Sequence, residues 1–96
     1  MTDKLTPAEV CEALIGPPSV LAETVNLHAK APFHWRRAAK FRDAGDIPSA
    51  RLMRALLAHS AARGLGLTAE HLIWGASTSE VEAILARRGS VPEAAE

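Results

Sequence analysis

Apolar residues recur three and four positions apart in six stretches of this chain, the spacing that lines one face of an α-helix. No stretch alternates between apolar and polar residues as a half-buried strand would. The pattern predicts helices over about 7–15, 20–25, from 31 or 32 to 40 or 41, 48–63, 69–74 and 80–88. We expect the side chains of Thr6, Ser19, Thr68 and Ser79 to cap helix starts, and residues 90–96 to form a loose tail.

This succession of helices and turns predicts an all-α fold, a compact domain of five to six helices. Ninety-six residues suffice for one such core but not for two. No apolar run approaches the roughly 20 residues that cross a bilayer, and the first residues lack a signal-peptide pattern, so we expect no membrane association. The single cysteine, Cys11, has no disulfide partner in the chain, which favours a cytoplasmic location.

The stretch 19–42 organises the remainder of the chain. It predicts a short helix, a turn at Asn26, which tolerates a left-handed backbone, and a second helix with five positive and no negative side chains. This order is typical of a helix-turn-helix. The apolar residues expected to face the core are Leu21, Val25, Leu27 and Trp35. We assign residues 1–76 to the helix-turn-helix domain and residues 77–96 to a C-terminal helix and tail, a candidate dimerisation element.

Charge is segregated although the formal net charge is zero. Residues 1–23 sum to −3, residues 24–63 to +6 and residues 64–96 to −3. A phosphate backbone responds to the local field, which decays over about 8–10 Å in physiological salt, so a basic middle can bind DNA inside a neutral protein. The alternative is that the basic stretch is only a solvated face.

The run AETVNLHAKAPFHWRR, with Trp35-Arg36 at its end and Gly45-Asp46-Ile47-Pro48 after a loop, resembles the Cro-type and lambda-repressor-like helix-turn-helix regulators of phages and mobile elements. The resemblance covers roughly residues 6–75. Two features depart from the family pattern: Pro32 stands where the family usually has valine or isoleucine, and the loop 37–45 is longer than in the smallest members.

The resemblance implies a recognition helix in the major groove, with its first residues at the base edges. The positions that match the base-facing ones are His28, Ala29, Lys30, Phe33 and His34. Those expected to hold phosphates are Ser19, Arg36, Arg37, Lys40 and Arg42. Phe33 could instead be a core residue and His34 an ordinary surface histidine, while Trp35 is expected in the core.

Together these features predict that the protein is a sequence-specific regulator of transcription. We expect a repressor that binds a two-fold operator in double-stranded DNA as a homodimer. The candidate dimer residues are Trp74, Val81, Ile84 and Leu85, unless the last helix packs on its own core. The alternative function is a helical protein-interaction module, antitoxin-like or polymerase-contacting, that uses the basic face for an acidic protein.

Catalysis has little support in the sequence. His28 and His34 are six residues apart, and His59 and His71 lie in separate elements without a nearby Cys or acidic partner at ligand spacing. No glycine-rich phosphate loop or nucleophile arrangement is present. We therefore expect no enzyme activity, no metal, no cofactor and no small-molecule ligand.

Overall fold

The computed structural model describes residues 4–28 and 30–95, with side chains as far as Arg88. The predicted all-α class is confirmed, since six helices dominate this part of the chain. The elements in order are β1 Lys4–Leu5, α1 Pro7–Leu14, α2 Pro18–Val25, α3 Ala31–His34, α4 Ala50–Arg63, α5 Ala69–Trp74, β2 Ala76–Ser77 and α6 Thr78–Ala95. None of the helices in the described part of the chain has the length and hydropathy needed to cross a bilayer.

Two of the four predicted helix caps are correct. Thr6 Oγ1 accepts from the Glu9 amide at 3.2 Å while Glu9 Oε1 accepts from the Thr6 amide at 2.9 Å, so α1 begins with a capping box. Thr68 caps α5 in the same way, with His71 as the reciprocal partner.

The other two predicted caps are wrong. Ser19 lies inside α2, because proline at residue 18 already fits the first helical position and Pro17 takes the capping position. At α6 the hydroxyl of Ser77, not that of Ser79, accepts from the Glu80 amide at 3.1 Å. In both places the helix starts earlier than the sequence predicted.

One core joins the helices. α1 packs against α5 and α6, and α2 packs against α3 and α4. Trp35 is only 2% exposed, as predicted, but Leu27 is 40% exposed, so its assignment to the core was wrong. The buried hydrophobic residues are Ala8, Val10, Cys11, Leu14, Leu21, Ala22, Trp35, Ile47, Leu56, Leu67, Leu72, Ala76, Val81 and Ile84.

A two-stranded antiparallel sheet connects the first described residues to the start of α6. Lys4 pairs with Ser77 and Leu5 with Ala76. Strands of two residues are too short to alternate apolar and polar positions, so the sequence pattern could not predict them. Gly75 precedes β2 with φ 77° and ψ −158°, a backbone conformation adopted almost only by glycine, and a Cβ there would collide with the Leu5 carbonyl.

The last helix packs onto the body of the domain. Val81 and Ile84 are 3% and 6% exposed, and Arg88 Nη1 donates to the carbonyls of Leu14 at 3.0 Å and Leu65 at 3.3 Å. The loose tail predicted at 90–96 is also wrong as far as Ala95, where α6 ends. Glu96 lies outside the described residues.

Candidate nucleic-acid interface

Asn26 makes the turn between α2 and α3, as predicted. It adopts φ 60° and ψ 49°, the left-handed conformation. The Leu27 amide donates to the Ala22 carbonyl at 2.9 Å and the Asn26 amide to Glu23 at 3.2 Å, which satisfies the free carbonyls at the end of α2. The turn therefore fixes the direction in which the chain enters the basic segment, a name we use for residues 28–42.

The helix α3 is shorter than predicted. It begins at Ala31 as expected but ends at His34, whereas the sequence predicted an end at residue 40 or 41. Hydrogen bonds of the tighter three-residue type continue beyond it: the Trp35, Arg36 and Arg37 amides donate to the carbonyls of the residues three positions before them, at 3.1–3.4 Å. A turned backbone thus extends to Arg37, and then the chain leaves the helical path.

Four of the five predicted base-contacting side chains are exposed: His28, Lys30, Phe33 and His34. Phe33 is 48% exposed, so it is not the core residue that the sequence left as an alternative. Ala29 lies outside the described residues. The basic segment thus presents two imidazoles, an ammonium and an aromatic ring to solvent.

Trp35 and Gly45 anchor this segment to the body of the domain. The Gly45 amide donates to the Trp35 carbonyl at 2.6 Å, and the Gly45 carbonyl accepts from the Ala8 amide at 2.9 Å. Gly45 has φ +88°, and a Cβ there would collide with the Thr6 side chain. Gly45, the first residue of the run Gly45-Asp46-Ile47-Pro48, therefore joins the basic segment to the first turn of α1.

Arg36, predicted to hold a phosphate, is paired within the protein. Its Nη2 lies 3.0 Å from both carboxylate oxygens of Glu12 in α1, and its Nε lies 3.3 Å from one of them. The guanidinium also lies 5.4 Å from the centroid of the Phe33 ring. Because the Arg36 side chain is 51% exposed, it remains partly accessible from solvent.

Arg42 differs most from its predicted role as a phosphate contact. It is half-buried, and its Nη2 donates to the carbonyls of His34 at 3.1 Å and Arg37 at 3.3 Å. These carbonyls lie at the end of the turned backbone, so Arg42 positions the basic segment. Ser19, Arg37 and Lys40, the other predicted phosphate contacts, are exposed.

A tight turn that the sequence pattern did not predict follows Arg37. Ala39 and Arg42 exchange two backbone hydrogen bonds, of 2.8 and 3.1 Å, and leave Lys40 and Phe41 at the tip. Phe41 is 93% exposed, and the Lys40 ammonium lies 5.6 Å from the centroid of its ring. No glycine, proline or asparagine marks this turn, so the usual sequence signals for a turn were absent.

The four predicted dimer residues separate into two pairs. Trp74 and Leu85 are 68% and 38% exposed and remain available to a partner. Val81 and Ile84 belong to the core, so their assignment to a dimer surface was wrong: the alternative, that the last helix packs on its own core, holds for them.

Other reactive side chains have structural surroundings. His71 is buried, with its Nδ1 accepting from the Thr68 amide at 3.0 Å and its Nε2 lying 2.8 Å from Glu80 Oε2. Burial, and to a smaller degree the Glu12 carboxylate, raises the pKa of the Cys11 thiol to about 12. Among residues whose side chains are described, no three of the His, Cys, Asp and Glu side chains form a group that could hold a metal ion.

The geometry defines a small all-α domain in which a left-handed turn leads into an exposed cationic segment anchored by a buried tryptophan. Comparison with protein-family models, with curated proteins and with solved structures gave no significant match. Function is therefore inferred from this geometry and from the residues that the segment presents.

Proposed function

We propose that this protein is a sequence-specific regulator of transcription that binds double-stranded DNA through the basic segment. The single observation that carries the proposal is the charge and exposure of this segment. Residues 28–42 hold five Lys or Arg and no acid, and four of these five cations are exposed: Lys30, Arg36, Arg37 and Lys40. A run of cationic residues with no acid among them attracts the phosphate backbone.

The exposed side chains supply both kinds of contact that sequence-specific binding needs. Lys30 donates to guanine O6 or N7, His34 donates or accepts at a base edge, and Phe33 lies against a thymine methyl group. Arg37 and Lys40 hold phosphates, which gives affinity that falls with salt but carries no sequence information. The activity proposed is binding in the cytoplasm, and it requires neither catalysis nor a cofactor.

A single copy of the protein reads few base pairs, because α3 has only four residues. We therefore propose that it binds a two-fold operator as a homodimer, as a repressor does. Of the four residues predicted to form the dimer surface, Trp74 and Leu85 are the exposed ones. Multi-angle light scattering over a range of concentrations tests this: Trp74→Ser is expected to convert dimers into monomers, and a monomeric parent protein contradicts the proposed dimer.

The test of DNA binding is selection from a random duplex pool, followed by fluorescence anisotropy titration of the selected sequence and a scrambled one. Lys30→Ala is expected to weaken binding to the selected sequence about 5- to 150-fold, the range for one good base contact, and to affect the scrambled duplex far less. Arg63→Ala is the matched control, since it removes one exposed positive charge from α4, outside the basic segment.

The alternative, a protein-interaction module for an acidic partner, predicts a different outcome. Selection would then enrich no sequence, and the protein would fail to shift duplex DNA even at low salt. That result would contradict the regulator proposal and leave the same exposed cations for a protein partner.

A further inference from the structure

Phe41 is the most exposed of the large hydrophobic side chains in the described part of the chain, at 93%. An exposed phenylalanine lowers the solubility of a protein, and a ring this exposed has no packing role in the core. It lies at the tip of the turn 39–42, next to Lys40, whose ammonium lies over its ring. The turn thus presents an aromatic ring accompanied by a positive charge.

The turn is firmly attached to the part of the segment proposed to read bases. Its two ends, Ala39 and Arg42, exchange paired backbone hydrogen bonds. The Arg42 guanidinium then donates to the carbonyls of His34 and Arg37. The position of the Phe41 backbone is therefore set relative to the base-reading residues, so its ring would meet the duplex at a defined distance from the bases they contact.

The charge around Phe41 favours a nucleic acid over a protein partner. Lys40 and Arg42 flank it in the chain and Arg37 precedes the turn, so three cations lie within four residues of Phe41 in sequence, against one acid, Asp43. Aromatic rings have two general uses beside a phosphate backbone: stacking on bases, and insertion as an apolar wedge between base pairs in the minor groove. Lysine beside such a wedge holds the flanking phosphates.

We propose that Phe41 is a wedge that inserts between two base pairs in the minor groove beside the bases read by α3, and so bends the DNA. Lys40 holds the phosphate next to the opened step. This inference rests on the proposed function, and it adds a second contact in a second groove. Sequence preference at the wedge step then arises from how easily that step unstacks, with pyrimidine-purine steps favoured.

The experiment uses the full chain and the duplex obtained by selection. The bend is measured by energy transfer between dyes at the two DNA ends, and unstacking by the fluorescence of 2-aminopurine placed in turn at each step flanking the α3 site. The parent protein is expected to shorten the end-to-end distance and to raise 2-aminopurine fluorescence at one step. Phe41→Ala is expected to abolish both signals and to lower affinity roughly tenfold, within the range for one stacked base.

Two variants serve as controls. Phe41→Leu retains an apolar wedge and is expected to keep most of the bend. Ile73→Ala removes an exposed apolar side chain from α5, outside the basic segment, and is expected to change neither signal. Circular dichroism of each variant checks that the helices are intact.

The outcomes separate the wedge from the proposed function. If the parent protein binds the selected duplex and Phe41→Ala leaves the bend and 2-aminopurine fluorescence unchanged, the wedge is overturned and DNA binding stands. If Phe41→Ala changes only the oligomeric state in light scattering, Phe41 is a protein contact and the wedge is again overturned. If the parent protein binds no duplex at all, both proposals fail.

Discussion

Arg36 of the basic segment and Glu12 of α1 form an ion pair in which one guanidinium nitrogen lies 3.0 Å from both carboxylate oxygens. The pair couples the segment to the first helix. If the protein binds DNA as proposed, the duplex and this internal pair would compete for the same guanidinium.

Replacing Glu12 by glutamine is expected to release Arg36 to the phosphate backbone. The plot of log affinity against log salt concentration should become steeper by about 0.9, the value for one additional phosphate contact. The free energy of unfolding should fall by about 1 kcal/mol, because the Arg36 side chain is 51% exposed and the glutamine oxygen can still accept a hydrogen bond from it. Anisotropy titrations at several salt concentrations and urea denaturation measure the two quantities.

The control variant is Glu82→Gln, which removes an exposed acid from α6. An equal change of the salt slope in both variants would indicate a general charge effect instead.

Arg42 is expected to stabilise the segment without touching phosphate. Arg42→Met keeps the apolar stem but loses the hydrogen bonds to His34 and Arg37, so the free energy of unfolding should fall by about 1–3 kcal/mol in urea denaturation. Affinity for DNA should also fall, but with the salt slope unchanged. Lys40→Ala should instead flatten the slope by about 0.9. If the two variants flatten the slope equally, Arg42 holds a phosphate as the sequence predicted.

Gly75 and Gly64 offer a matched pair for testing the connection between β1 and β2. Both have positive φ, but a Cβ at Gly75 would collide with the Leu5 carbonyl, whereas a Cβ at Gly64 meets nothing within 4 Å. Gly64→Ala should cost about 1 kcal/mol for the left-handed backbone alone. Gly75→Ala should cost at least about 2 kcal/mol more, since strain and collision add. Equal losses in urea denaturation would show that the strands contribute nothing to stability.

The Cys11 thiol should make the protein lose stability in alkali. Its pKa is raised to about 12 in the folded protein from 9.0, mainly because burial disfavours the thiolate and secondarily because of the Glu12 carboxylate. Because the pKa is higher in the folded state, the folded thiol keeps its proton in a pH range where the unfolded thiol has lost it. The contribution of Cys11 to the free energy of unfolding is therefore fully present below pH 9 and is lost as pH rises towards 12.

Between pH 9 and 12 the free energy of unfolding should fall by up to about 1.4 kcal/mol per pH unit. Urea denaturation of the parent protein and Cys11→Ala at pH 8 and pH 10.5 measures the difference between them, which cancels the contribution of lysines. A constant difference at the two pH values would exclude titration of Cys11. In the folded protein at pH 8 the thiol should also react slowly with iodoacetamide, and rapidly once urea unfolds the chain.

The parts of the fold that depend on neighbouring residues in sequence were predictable. The capping box at Thr6, the cap at Thr68, the left-handed Asn26 and the helix stop at Gly64 all follow from interactions within four residues. Trp35 was predictable as core because its spacing continues the apolar pattern of Leu21 and Val25.

The remaining parts depend on contacts distant in sequence. Arg36 pairs with Glu12, a residue 24 positions away. Arg42 donates to the carbonyls of His34 and Arg37, which are accessible to it because α3 ends at His34. Helix propensity at Ala38 and Ala39 favours continuation, so the sequence pattern predicted a longer helix there. Phe41 was missed for the same reason: on a continuing helix it would have been an ordinary last residue.

The pairing of Leu5 with Ala76 has a consequence for how the chain is made. α1 takes its core partners from α5 and α6, so during synthesis the first helix leaves the ribosome long before the segments that bury it. Val10 and Leu14 in the nascent chain therefore lack these packing partners until α5 and α6 have been translated. Folding should therefore complete only after translation of α6, and stalled chains ending before it should be substrates for chaperones that recognise exposed apolar helices.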